Sequence, residues 1–94
     1  MKLTEEQQKS FSLEVFDAID RVFKVQDLKV ILGQEKDING FITTVEVEFT
    51  MLEGKEKLVG YNFYNKDFSK WRSNFIDVIV NRVMDSLLYD RFNK

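Results

Sequence analysis

The sequence predicts an α+β fold in the order α-β-β-β-α: a three-stranded antiparallel meander with two helices packed on one face. Three observations predict it. Apolar residues recur at helical spacing near both ends of the chain. The middle alternates apolar and polar residues with period two, as strands half-buried in a sheet do. Two turn signals, Asn39-Gly40 and Glu53-Gly54-Lys55, divide that middle into three strands. With 94 residues, no internal repeat and no linker, the chain is expected to form a single domain, 1–94.

The first helix is predicted from about Thr4 to about Val25. Thr4 is a good N-cap with Gln7 three residues on, the spacing of a capping box. Glu5 and Glu6 suit the positive end of the helix dipole. Val15, Phe16, Ile19, Val22 and Phe23 form one apolar stripe, which Phe11 extends.

A type I′ turn at Asn39-Gly40 would pair Ile38 with Phe41. That register sets Leu32 opposite Val47, Val30 opposite Phe49 and Leu28 opposite Met51, all on one face. The other face receives Lys29, Ile31, Gly33 and Glu35 from the first strand and Thr44, Glu46, Glu48 and Thr50 from the second. One face is core and the other solvent. The third strand runs through Leu58 to Tyr64, with Val59, Tyr61 and Phe63 on the core face beside Phe49, Val47 and Val45.

The second helix starts after Asn65 or Asp67, either of which can cap it, and continues to about Tyr89 or Phe92. Its polar line is Lys70, Asn74, Asp77, Asn81 and Asp85. The remaining apolar stripe is wider than one sheet needs. The first helix and the sheet together account for it, or a partner covers the surplus. Val78, Met84, Leu88, Tyr89 and Phe92 are the residues assigned to such a protein interface.

Composition narrows the chemistry. Cysteine and histidine are both absent, which removes disulfides, thiolate metal sites and the commonest catalytic base. No nucleophile elbow or phosphate-binding glycine loop occurs. The expectation is a non-enzyme with no catalytic residues, no metal and no cofactor. Glu46, Glu48 and Glu35 share the open sheet face and read as solvated surface, while Gly33 there leaves a shallow depression.

The element order resembles that of the double-stranded-RNA-binding domain. That family uses a basic, alanine-rich start to its second helix, where this chain reads Phe68-Ser69-Lys70-Trp71-Arg72. It also reads the minor groove with its first helix. Here Thr4 to Asp27 carries six acidic against three basic residues. The resemblance implies a nucleic-acid contact at Tyr64, Lys66, Lys70, Trp71 and Arg72, kept as the alternative function.

The main expectation is a small protein-binding module, an adaptor or inhibitor, that self-associates as a homodimer through the second helix. Size and composition are those of small bacteriophage or mobile-element proteins. The expected partner is another protein or a second copy. No apolar run approaches the roughly 20 residues that span a bilayer, and the expected location is the cytoplasm.

Overall fold

The computed structural model describes residues 1–92, with only the backbone of 90–92. Its elements are α1 (Glu5–Val22), β1 (Gln26–Asp37), β2 (Gly40–Thr50), β3 (Glu56–Tyr64), a 3-10 turn (Asn65–Asp67) and α2 (Phe68–Phe92). The strands form one antiparallel sheet in the order β1-β2-β3. The α-β-β-β-α order is that predicted, and both helices lie on one face.

The capping box of α1 is complete: the Thr4 hydroxyl accepts from the Gln7 N–H, and the Gln7 side chain accepts from the Thr4 N–H. The helix ends at Val22, short of Val25, because Phe23 is already extended at φ −120° and ψ 142°. Phe11, Val15 and Ile19 are buried, whereas Val22 at the last turn is 59% exposed and leaves the predicted stripe.

Both hairpin registers differ from the prediction by two residues. Asp37 pairs with Gly40 and Lys36 with Phe41, so Leu32 faces Val45 and Val30 faces Val47. The cause is the Asp37 side chain, whose Oδ1 accepts the Asn39 N–H at 2.7 Å. Ile38 and Asn39 keep negative φ while Gly40 takes φ 122°, which excludes a type I′ turn. Asp at the first position and Gly at the fourth are the preferences of a type I turn centred on Ile38-Asn39. Leu28 does not face Met51, because a bulge at Asp27 and Leu28 interrupts the ladder and Asp27 adopts φ 53°. On the other side, Tyr61 faces Val45, Val59 faces Val47 and Phe63 faces Thr43. A slip of two residues preserves which face each side chain occupies, so core and open faces stand as predicted.

The core joins Phe11, Val15 and Ile19 of α1, Val45, Val47 and Phe49 of β2, Phe63 of β3, and Phe68, Ile79 and Val83 at α2. Aromatic rings concentrate at the β3–α2 corner. Phe63 stacks on Phe75 at 4.4 Å and on Phe68 at 5.9 Å, and Phe11 meets both Phe63 and Phe68 edge-on.

Asn65 does not cap α2. It is buried, accepting from the Thr43 hydroxyl and donating to the Met1 carbonyl and to Gln34 Oε1. Gln34 Oε1 also accepts from the Leu3 N–H. This polar knot ties the chain start, β1, β2 and the entry to α2 together. Its buried groups are satisfied, as buried polar groups must be.

Candidate protein-binding surfaces

The sheet has one face with no helix over it. Pairing places three residues in each row across that face: Glu35, Ile42 and Tyr64; Gly33, Thr44 and Asn62; Ile31, Glu46 and Gly60; Lys29, Glu48 and Leu58. Glu35, Asp37, Glu46, Glu48 and Glu56 stand in or next to these rows against Lys29, with Lys66 over the Tyr64 ring and Lys57 at the rim, so carboxylates outnumber cations on this face. Within this charge, Ile31 is 45% and Leu58 62% exposed. Thr44 is half-buried between the bare backbone of Gly33 and Asn62.

Two depressions mark this side of the sheet. One, of about 250 Å³, lies over Gly33 between Ile31, Glu35, Thr44 and Glu46. It is the depression expected from the missing side chain, and a Cβ built on Gly33 would meet nothing within 4 Å. The other, of about 440 Å³, lies at the bulged end beside Lys29, Glu48 and Leu58. Among the described residues, no group of three or more Asp, Glu, His or Cys side chains is placed to hold a metal ion.

The outer surface of α2 is the second candidate. Most of its wide apolar face is used internally: Ile79 and Val83 are buried, and Phe75, Ile76, Val80 and Leu87 pack against the core. Met84 remains 38%, Leu88 40% and Tyr89 66% exposed, while Val78 is half-buried. These residues do not share one line. At roughly 100° per residue, Val78 and Tyr89 fall on one side of the helix and Met84 and Leu88 on another, about 80–140° away. Val78 and Tyr89 flank Arg82, whose Nη1 donates to the Gly60 carbonyl at the β3 edge. The side chain of Phe92 lies outside the described residues.

The residues suggested for nucleic acid are also divided. Tyr64 belongs to the open face, where its hydroxyl donates to Asp37 at 2.9 Å. Lys70, Trp71 and Arg72 lie on α2, on the opposite side of the sheet. Arg72 is engaged between the helices: Nε and Nη2 donate to both oxygens of Glu14, and Nη2 also donates to Ser10. Lys66 lies over the Tyr64 ring at 5.5 Å and Lys70 over the Trp71 ring at 5.2 Å. Trp71 is 43% exposed. The Arg72–Glu14 clamp is invisible to sequence reading, because the two charges are far apart in the chain and meet only when the helices pack.

Compared with protein-family models, curated proteins and solved structures, the chain matches none. No helix among the described residues is long and apolar enough to cross a membrane.

Proposed function

We propose that the chain is a small, non-catalytic protein-binding module, which receives a basic partner segment on the open face of its sheet. One observation carries this reading. The uncovered face combines exposed Ile31 and Leu58 with five carboxylates, which outnumber Lys29 in the rows and Lys57 and Lys66 at the rim. Apolar contact gives such a surface affinity, and the surrounding charge selects a partner of opposite sign. The same charge opposes a phosphate backbone, whose neutralisation by cations dominates nucleic-acid affinity. Arg72, held by Glu14 and Ser10, is not available to supply that neutralisation without breaking the helix clamp.

Self-association through α2 is the second reading, supported by the exposure of Met84 and Leu88 on one line of the helix. It uses a different surface and is separable by mutation.

The test is a tagged pull-down from native lysate with nuclease added, comparing the wild-type chain with Glu46→Lys/Glu48→Lys and with Lys66→Ala/Lys70→Ala. A stoichiometric protein partner is expected to survive nuclease. It should be lost with the glutamate pair reversed and kept with the lysines removed. A partner set that disappears with nuclease, or depends on the lysines and not the glutamates, overturns the proposal.

A further inference from the structure

The two edges of the sheet are treated differently. At β3, Arg82 reaches from α2 to the Gly60 carbonyl and lies over the Tyr61 ring at 5.1 Å, so a helix side chain covers the middle of that edge. β1 is longer, with 12 residues, and its outer edge has no such cover among the described residues.

The direction of each backbone group on β1 follows from that Arg82 bond. In an antiparallel ladder, the N–H and C=O of one residue point to the same side, and successive residues alternate. The Gly60 carbonyl points out of the sheet, so the groups of its partner Glu46 point towards β1, where they meet Ile31. The outward groups of β1 therefore belong to Val30, Leu32, Gln34 and Lys36. This stretch begins at the apolar run Val30-Ile31-Leu32. An uncovered edge of that length and character is a template for another strand.

We propose that this edge pairs antiparallel with β1 of a second copy, around a twofold axis at Leu32, to give a continuous six-stranded sheet. The register is dictated by self-complementarity. Outward groups must face outward groups, which restricts the pairing to steps of two. With Leu32 opposite its own copy, Lys29 lies opposite Glu35 of the second copy and Ile31 opposite Gly33, each twice by symmetry. The side chains of Lys29 and Glu35 form no ion pair or hydrogen bond inside the chain's described residues. The Gly33 depression receives a large side chain, and Ile31 gains cover. Neighbouring registers are worse. One step towards the strand start sets Asp27 opposite Glu35 and Ile31 opposite itself. One step the other way sets Ile31 opposite Glu35 and leaves both glycines facing. The bulge at Asp27 and Leu28 bends the strand end, which confines the pairing to the straight run.

The helices are compatible with this arrangement. Glu14 of α1 faces α2, so Phe16, about 200° further round the helix, faces out past β1. Phe16 is half-buried, and a second α1 across the axis would cover that flank. A twofold isologous contact of this kind closes on itself and does not propagate. The pairing takes up Lys29, Ile31 and Glu35 at the rim of the open face and leaves Glu46, Glu48 and Leu58 free for a partner; it is measured on the isolated chain, so it stands or falls separately from partner capture.

The experiment is sedimentation velocity over a concentration series with the full chain, Lys29→Glu, Glu35→Lys and the double reversal, each checked for folding by circular dichroism. The wild type is expected to dimerise. Each single reversal sets like charges opposite each other twice and should weaken the dimer by about tenfold or more. The double reversal should restore it. A monomeric wild type at all concentrations overturns the proposal. So do single reversals without effect, or a dimer abolished by Leu88→Glu and untouched by the charge changes.

Discussion

On the covered face of the sheet, Thr43, Val45, Val47 and Phe49 are at most 2% exposed. On the open face, Ile31 and Leu58 are 45% and 62% exposed, one residue away along strands of the same ladder. Backbone pairing is common to both faces, so the difference lies in what the side chains touch. The covered face is locked by close packing, where a lost methylene is felt. The open face has room at Gly33, unpaired charge at Lys29 and Glu35, and apolar groups held in water. Residue identity there is weakly tied to stability, which leaves it available for recognition.

The strongest way to break the comparison is at the aromatic corner. Phe63→Ala removes a buried ring that stacks on Phe68 and Phe75, and it should destabilise the fold by about 3–5 kcal/mol in urea unfolding. A loss comparable to that of an open-face substitution would mean that the two faces do not differ as described. The polar knot comes next. Asn65→Ala strips a partner from the Thr43 hydroxyl and from Gln34, and should cost about 1–3 kcal/mol. Thermal melts of the single variant and of Asn65→Ala/Thr43→Val would show whether removing both partners recovers part of that loss. The Arg72–Glu14 clamp is weaker, since the two side chains are 29% and 48% exposed. A double-mutant cycle with Arg72→Ala and Glu14→Ala should return a coupling of no more than about 1 kcal/mol, reduced by salt.

The faces were legible in the sequence because period-two alternation survives any error of two residues. The partners across the ladder were not, because the Asp37 carboxylate decides the turn and Asn39-Gly40 alone suggests a different one. Thr43 and Gln34 occupy positions in step with Val45, Val47, Leu32 and Val30, so the alternation itself marks them as inward-facing. Their polarity hid that signal, and Asn65, read as a helix cap, is the buried group they satisfy. The surplus on α2 was visible as an apolar stripe, and its division into two lines follows already from about 100° per residue; only the structure shows that the Val78–Tyr89 line flanks Arg82 at the β3 edge. Edge cover at β3 depends on Arg82 reaching Gly60, a contact that no local pattern announces.

The smallest expected effect sharpens the comparison most, because it moves stability and assembly in opposite directions. Gly33→Val adds a β-branched side chain to a strand position with ordinary φ and open space around the new Cβ. β-Propensity favours valine over glycine in such a site, so the isolated fold should gain about 0.5 kcal/mol. The same side chain fills the depression that Ile31 of the second copy would enter. Dimerisation should therefore weaken while the melting temperature of the monomer rises. Sedimentation and dilute thermal melts on one preparation read both quantities. A variant that is more stable and equally dimeric would show that the Gly33 depression takes no part in the contact, and would leave the Lys29–Glu35 pairing to set the register without it.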